Sequence, residues 1–320
     1  MLDTLDMIKK TPGLGARDAL RSTGDFKLRA CHPINEGRGA AFWKEGLSTP
    51  LSAAFGHLEE RTDIALSGVF KDGHWLARSG HVAGVFAAPL FGIPPTGRVA
   101  FVRFGRFDRF EGDELAETIL LLDLPALMMQ SGVWPLSPPM GDLLIAPSPA
   151  THDGVANAAG PVEGAKSLAL VEAMIGGLHV FDGSLKSMGM RNYWTEDFWW
   201  FGPAPIGNFC GHPSYEHGHQ GPFLTAFPDR VGGNHAARIG ERNYVASTGW
   251  PSITATHSGG GWLGLAPTGR QVTMRVMDFW RREGELLAEN WVMIDIPDLL
   301  LQMGIDVFER MNALLPKRRT

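Results

Sequence analysis

Apolar and polar residues alternate near the C-terminal end of the chain, in two stretches joined by a short polar turn. The stretches cover residues 271–282 and 286–294, with Glu283-Gly284-Glu285 between them. Successive side chains of a strand point to opposite faces, so this alternation predicts a β-hairpin. The same pattern surrounds Glu111-Gly112-Asp113. We therefore expect two long hairpins, one in each half of the chain.

A different spacing opens the second half. Its apolar residues recur at intervals of three and four, which predicts an amphipathic helix: Val171, Met174, Ile175, Leu178 and Phe181. The N-terminal counterpart is shorter and covers residues 2–10. After the second hairpin, residues 298–315 form an apolar, partly helical segment that Gly304 interrupts. A helix followed by several strands indicates an α+β domain, in which a curved sheet wraps on helices.

The chain contains the same segment twice. Residues 95–132 and 267–304 align without a gap at an offset of 172, and 17 of the 38 aligned positions are identical. This period is too long for a solenoid, whose units run roughly 20–50 residues, and it indicates two tandem domains. We expect an N-terminal domain over 1–142, a linker rich in Pro, Gly, Ala and Ser over 143–165, and a C-terminal domain over 166–320.

The two hairpins agree on one face and differ on the other. The identical side chains are odd-numbered, Arg275, Phe279, Arg281, Leu287, Glu289 and Asp295, and they match Arg103, Phe107, Arg109, Leu115, Glu117 and Asp123. On the even face, the second copy has Asp278 and Asn290 where the first has Arg106 and Thr118. Since residues of one parity share a face, we predict a common face and a diverged face.

Composition narrows the class of protein. The 320 residues suffice for two domain cores. The net charge of −5 without a basic stripe disfavours nucleic acid as a partner. Two cysteines, Cys31 and Cys210, form no disulfide framework and favour a reducing compartment. No apolar signal core or membrane-spanning stretch occurs, so we expect a cytoplasmic protein without a membrane partner.

The motifs of the second repeat resemble a known family. MRVMDFWRREGELLAENWVMID (274–295), preceded by ATHSGGGWLGLAPTGR (255–270), is similar to the SnoaL-like polyketide cyclases, or ester cyclases, of the nuclear-transport-factor-2-like (NTF2-like) superfamily. The similarity covers roughly residues 165–315, and the first repeat shares GHVAG, PPTGR and its ending at 130–132. The resemblance implies two tandem cone-shaped α+β barrels, each a curved, mostly antiparallel sheet on helices, packed as a pseudo-dimer.

The resemblance also implies a reaction. In these cyclases a carboxylate inside an apolar cone is the general acid/base of an intramolecular aldol closure, without a metal or cofactor. That carboxylate corresponds to Asp278, and the first repeat has Arg106 there, so its domain is degenerate. We expect a cyclase, isomerase or lyase acting on a small hydrophobic or aromatic carbonyl compound in the C-terminal cone. A non-catalytic binding protein is the alternative, and a further homodimer stays open.

Two residues are the candidate catalytic groups. Asp278 lies among Met274, Val276 and Trp280, where desolvation raises a carboxyl pKa into a useful range. The alternative is an aspartate facing solvent. His257, which precedes a glycine run, could donate or relay a proton. His81 occupies the matching place in the first copy, and this recurrence makes a structural role for His257, as a loop-edge histidine that satisfies the backbone, an equal alternative.

Five residues are candidates for substrate contact: His235, Trp250, Trp280, Asn290 and Arg275. His235 and Trp250 should lie on strands of the cone wall, and Trp280 and Asn290 share the even face with Asp278. Arg275 and Glu289 recur in both copies, so the alternatives for them are a buried ion pair or a place at the contact between the two sheets.

Metal and nucleotide sites are not expected. His217 and His219 would point the same way in a strand and could be half of a zinc site, but no other ligand spacing occurs and Gly218 favours a loop. The PTGR segments are turns without the context of a phosphate loop, so we predict no cofactor.

Overall fold

The computed structural model describes residues 3–16, 20–71, 73–143, 146–157, 160–178, 180–182 and 184–316. The N-terminal half forms a six-stranded mixed sheet with the order β2-β1-β6-β5-β4-β3, in which β1 and β6 are parallel. Its elements are α1 (Thr4–Lys10), β1 (Ser22–Ala30), β2 (Glu36–Arg38), α2 (Gly39–Trp43), α3 (Thr49–Ala54), β3 (Phe55–Phe70), β4 (Gly73–Phe86), β5 (Val99–Glu111), β6 (Glu114–Leu122) and α4 (Leu124–Gln130).

The C-terminal half forms a seven-stranded sheet with the order β10-β11-β12-β13-β7-β8, to which β9 adds beside β11. Strands β7 and β13 are parallel. Its elements are α5 (Pro161–Leu178), β7 (Trp194–Phe201), β8 (Asn208–Cys210), α6 (Gly211–Tyr215), α7 (Gly221–Ala226), β9 (Val231–Gly232), β10 (Ala237–Glu241), β11 (Tyr244–Thr256), β12 (Gln271–Glu283), β13 (Leu286–Ile294), α8 (Ile296–Gln302) and α9 (Val307–Leu314).

The offset of 172 residues relates the two halves from β1 to α4. Strands β1 and β7 begin at Ser22 and Trp194, and helices α4 and α8 begin at Leu124 and Ile296. A π-helical turn joins the helices of each pair, at Lys44–Ser48 and at Glu216–Gln220. The prediction of two tandem α+β units is confirmed, and the structural repeat extends well beyond the segments of clear identity.

The hairpin of the second half differs from the prediction at its turn. Glu283 pairs with Leu286, which leaves a two-residue turn with Gly284 at φ +59°. Such a turn would pair odd positions with even ones, but the register shifts between Arg281 and Arg282. This bulge restores odd-to-odd pairing, as in Phe279 with Trp291. The predicted division into an odd and an even face therefore holds along most of the hairpin.

Helix α5 carries the expected apolar spacing but differs from the prediction at both ends. It begins at Pro161, inside the predicted linker, and it ends at Leu178, before Phe181. Helices α8 and α9 are separated at Gly304, whose φ is +87°. Residues 2, 144, 145, 158 and 159, on which parts of the predicted N-terminal helix and linker fall, lie outside the described residues. Within the described residues, no helix is long and apolar enough to cross a membrane.

The odd faces of the two hairpins lie against each other. Phe107 and Phe279, which the offset relates, have ring centroids 5.7 Å apart. Two further contacts are reciprocal: Asp123 accepts a hydrogen bond from the Ala204 backbone N–H at 3.0 Å, and Asp295 accepts one from the His32 N–H at 3.0 Å. The offset of 172 residues relates Asp123 to Asp295 and His32 to Ala204, so the two hydrogen bonds are equivalent when the halves are exchanged.

Candidate active site

The even face of β12 and β13 lines a cavity of about 510 Å³ in the C-terminal half. Its other walls come from helix α5 and the segment after it, strands β7 and β11, the α6–α7 segment and the loop from Pro228 to His235. Most of the lining is apolar or aromatic: Met174, Ile175, Leu178, Phe181, Met188, Met190, Trp194, Trp200, Phe223, Leu224, Ile253, Met274, Val276, Trp280, Val292 and Ile294.

Asp278 is the carboxylate of this cavity. Asn290 Nδ2, which also donates to the Phe279 carbonyl at 3.1 Å, lies 3.4 Å from Asp278 Oδ1. Burial raises the pKa of Asp278 to about 7, against the opposing effects of the Asn290 hydrogen bond and the Arg238 charge. Part of the side chain stays open to the cavity although protein surrounds it. The carboxyl can thus gain and lose a proton near neutral pH.

Three of the predicted contact residues line the same cavity. Trp280 and Asn290 lie beside Asp278 on the even face, as their parity predicts. His235 lies in the loop between β9 and β10 and not on a strand as expected, and its Nδ1 is 2.8 Å from Ser247 Oγ. The Arg238 guanidinium contacts His235 Nε2, which places a cation next to this imidazole.

Two of the predicted contact residues lie elsewhere. Trp250 and Arg275 are not among the residues that line the cavity, so the structure does not bring them together with Asp278. Trp250 Nε1 donates to Glu36 at 2.8 Å, and the Arg275 guanidinium lies 4.4 Å from the centre of the Trp250 ring. Arg275 also donates to Asp295 at 3.0 Å. Its odd parity directs it to the face between the two halves.

The alternative of an Arg275–Glu289 pair is not observed either. Glu289 instead pairs with Arg281, the neighbour across the hairpin. In the first half, the corresponding Glu117 contacts Arg29 and Arg109. The recurrent charges on the odd face therefore serve contacts within each sheet and between the halves.

The structure does not bring His257 to Asp278. His257 is fully buried, and its Nδ1 accepts a hydrogen bond from the Thr268 N–H at 3.3 Å. It packs on Phe227, with ring centroids 5.3 Å apart, and it is not among the residues that line the cavity. The constant offset relates it to Val85 rather than to His81. These contacts fit the structural role that the sequence left open.

His217 and His219 do not share a direction. They lie on the π-helical turn Glu216–Gln220 instead of a strand, and His217 is exposed whereas His219 is buried. His219 stacks on Trp200 at 4.3 Å, and burial lowers its pKa to about 3, so it is neutral. In the described parts of the chain, no group of three or more His, Cys, Asp or Glu side chains is arranged to hold a metal ion.

The sequence patterns assigned four larger polar residues of the cavity to no substrate site, and of these they considered only His219, as a metal ligand. Tyr215, His219, Gln220 and Arg230 come from the α6–α7 segment and the loop after it. Burial first, and then the Asp278 charge, raise the pKa of Tyr215. At the constant offset the first copy has Trp43, Leu47, Ser48 and Leu58. Divergence between the two copies was therefore the signal that could have identified these residues.

The corresponding region of the first half is filled by side chains. Arg106, at the position of Asp278, is fully buried. Its Nε donates to Asp108 at 2.8 Å and its Nη1 to the Pro12 carbonyl at 2.7 Å. The guanidinium also lies 4.9 Å from the centre of the Trp43 ring. A salt-bridged arginine thus occupies the position from which Asp278 faces a cavity in the second half.

No protein-family model and no curated protein matches the sequence. Several solved structures are similar to this chain, and each of them covers a little less than half of it. AclR, a candidate hydroxylase from Streptomyces galilaeus, is 24% identical over 44% of this chain and 86% of its own, with a TM-score of 0.35. IdmH, a candidate polyketide cyclase from Streptomyces antibioticus, is 21% identical over 42% of this chain and 98% of its own, with a TM-score of 0.33. An NTF2-like protein from Burkholderia xenovorans LB400 is 13% identical over 43% and 96%, with a TM-score of 0.35.

These likenesses concern the fold of one unit at a time. The chain is similar to SnoaL-like polyketide cyclases and other NTF2-like proteins, as its motifs indicate, and it carries two tandem copies of the α+β unit.

Proposed function

We propose that the protein is a cofactor-independent acid/base enzyme acting on a small hydrophobic carbonyl compound, with Asp278 as the base. One observation carries the proposal: a partly buried carboxyl whose pKa is raised to about 7 faces a cavity lined mainly by apolar side chains, several of them aromatic. A base is most effective when its pKa lies near the working pH. This arrangement supports proton transfer better than structural anchoring, for which a paired carboxylate would be expected.

The chemistry needs only a proton and an electron pair. Ionised Asp278 takes a proton from the carbon next to a carbonyl group, and the C–H electrons form an enolate. The enolate carbon then attacks a second carbonyl of the same molecule in a cyclase, or takes a proton at another position in an isomerase. Protonated Asp278 supplies the proton that the product requires, so the carboxylate is regenerated.

The walls indicate the shape of the ligand. The rings of Trp200, Phe223 and Trp280 line a space of about 510 Å³, within the size range of small-ligand pockets. Aromatic side chains favour flat apolar partners through stacked or edge contacts. We therefore propose an aromatic or polycyclic ketone as the substrate.

The N-terminal domain has a different role in this proposal. The reciprocal Asp123–Ala204 and Asp295–His32 contacts have the pattern of a two-fold dimer interface, in which residue i meets j and j meets i. We infer that the first domain replaces the second subunit of a dimer, with the domain boundary ahead of Pro161. Its own interior holds Arg106 where a base would be required.

The test uses 2-tetralone, a flat ketone with exchangeable protons next to its carbonyl. In D₂O at pH 8, the wild-type protein should accelerate incorporation of deuterium, measured by proton NMR. Asp278→Asn should lose the rate by about 100-fold or more, because the general base is gone. Asp197→Asn, on the exposed face of β7, is the matched control and should exchange at the wild-type rate.

Two outcomes would count against the proposal. Equal rates of exchange in the wild type and in Asp278→Asn would show that Asp278 is not the general base. Tight binding of 2-tetralone without any exchange by the wild type would instead favour the alternative, a non-catalytic binding protein with the same fold.

A further inference from the structure

The repeat supplies a geometric comparison within one chain. In the first half, the side chains at positions 106 and 43 meet, since the Arg106 guanidinium lies 4.9 Å from the centre of the Trp43 ring. The offset of 172 relates these positions to Asp278 and Tyr215. Elements β5 and α2 of the first half correspond to β12 and α6 of the second. Asp278 and Tyr215 therefore face each other from opposite walls.

The space between them is open in the second half. An aspartate is shorter than an arginine by several bonds, and a phenol ring is smaller than an indole. Both Asp278 and Tyr215 line the cavity. The cavity thus lies where the first half has a direct contact between side chains.

Tyr215 is held by its ring and not by its hydroxyl. The ring centroid is 5.4 Å from Phe198, 5.6 Å from Trp200 and 5.5 Å from His219. Among the described residues, no side chain or backbone group hydrogen-bonds to the hydroxyl, although the residue is only partly exposed. Packing on three rings orients the phenol, so its O–H is available to a ligand.

We propose that Tyr215 donates a hydrogen bond to the carbonyl oxygen of the substrate whose neighbouring carbon is deprotonated by Asp278. The inference rests on the proposed function and adds a second catalytic residue to it. The substrate is then a ketone that spans the cavity, with its acidic carbon towards β12 and its oxygen towards α6.

The step is balanced without another reactant. The C–H bond breaks, the proton moves to the Asp278 carboxylate, and a carbon–carbon double bond forms. The carbonyl π electrons move to the oxygen, whose new negative charge the Tyr215 O–H stabilises. A fixed donor in a site shielded from water stabilises such an oxyanion more strongly than the neutral ketone.

The electrostatic surroundings agree with this geometry. Burial raises the pKa of Tyr215, and the charge of Asp278 raises it further, which fits a carboxylate near the phenol. Tyr215 accordingly keeps its proton and remains a donor at neutral pH. His219, on the turn that follows α6, is neutral, and the cation that acts on the phenol is Arg230, whose charge opposes the rise of the Tyr215 pKa without cancelling it.

Tyr215→Phe removes a single oxygen atom and is compared with Asp278→Asn in the 2-tetralone exchange. Removing one oxyanion donor lowers a rate by about 100-fold, so we expect that loss in kcat with little change in KM. Tyr193→Phe is the matched control, because Tyr193 does not line the cavity, and it should exchange like the wild type. The midpoint of thermal unfolding of each variant checks that the fold is intact.

A binding measurement separates donation from packing. 2-Naphtholate resembles the enolate of 2-tetralone, and its fluorescence reports binding. Tyr215→Phe should weaken binding of 2-naphtholate about tenfold or more and leave binding of naphthalene unchanged. Equal losses for both probes would mean that Tyr215 only shapes the cavity, which would overturn its proposed role.

The two proposals fail in different ways. If Tyr215→Phe exchanges at the wild-type rate while Asp278→Asn does not, the role of Tyr215 is wrong and the base stands. If the wild type gives no exchange above the buffer rate, the proposed function fails, and this inference fails with it.

Discussion

At the scale of single residues, the protonation of Asp278 decides what the site can do. Its surroundings supply one amide donor, Asn290, and one nearby cation, Arg238, and these do not offset the burial of the carboxyl. The unfolded chain ionises this aspartate near 3.8, whereas the folded chain holds the proton until about pH 7. A base poised in this way is also a source of instability, because the protein must fold around a charge at high pH.

The first prediction follows from that linkage. Between about pH 4 and pH 7 the folded state binds more protons at Asp278 than the unfolded state does, so the free energy of unfolding falls as pH rises through this window. Asp278→Asn lacks this loss. The free energy of unfolding, measured with urea, should therefore rise in the variant relative to the wild type by about 2–4 kcal/mol between pH 5 and pH 8. An unchanged difference would mean that Asp278 has an ordinary pKa.

Sequence patterns found some residues of the site and missed others for a physical reason. Parity along a strand identified Asp278, Trp280 and Asn290, since a strand alternates its faces regularly. The same rule should have excluded Arg275 from the cavity, because its parity is odd. Parity could not identify Tyr215, because this residue lies on a short helix, where alternation carries no information.

At the scale of elements, the cavity depends on how closely α5 approaches the sheet. Gly164 of α5 and Gly240 of β10 meet backbone to backbone, and a Cβ at Gly164 would lie 2.6 Å from the Gly240 carbonyl oxygen. This contact positions the helix whose residues Met174, Ile175 and Leu178 line the cavity. The hydrophobic spacing predicted the helix, but not this approach, which depends on two glycines far apart in sequence.

The second prediction compares two glycines of the same helix. Gly164→Ala should destabilise the protein by about 1–3 kcal/mol, because the clash exceeds the higher helix propensity of alanine. Gly176→Ala meets no atom within 4 Å and should stabilise it by about 0.5–1 kcal/mol. Urea denaturation measures both. A stabilising Gly164→Ala would mean that the helix does not approach the sheet so closely.

At the scale of the whole molecule, the two halves share an interface built from the residues that the repeat keeps. Phe107 and Phe279 are identical in the two copies and touch each other. The sequence showed that these positions share a face, and the tandem units followed from the offset. It could not show that the two faces meet, because the long-range contact leaves no local pattern.

The third prediction tests this interface with a double-mutant cycle. Phe107→Ala and Phe279→Ala should each cost about 3–5 kcal/mol, as for other buried phenylalanines. The double variant should cost less than the sum by about 0.5–1.5 kcal/mol, because each single change already removes the ring contact. Additive free energies of unfolding would show that the two rings do not interact in solution.

The central claim is that Asp278 acts as a base near neutral pH, and the pH dependence of kcat/KM for deuterium exchange tests it most directly. Among the described residues, Tyr215, His219, Arg230, His235 and Arg238 are the other titratable or charged groups near this carboxyl. Measured with 2-tetralone from pH 5 to pH 9, the rate should rise with an inflection near 7, and Asp278→Asn should show no such rise. An inflection near 4, or an unchanged profile in Asp278→Asn, would contradict the account.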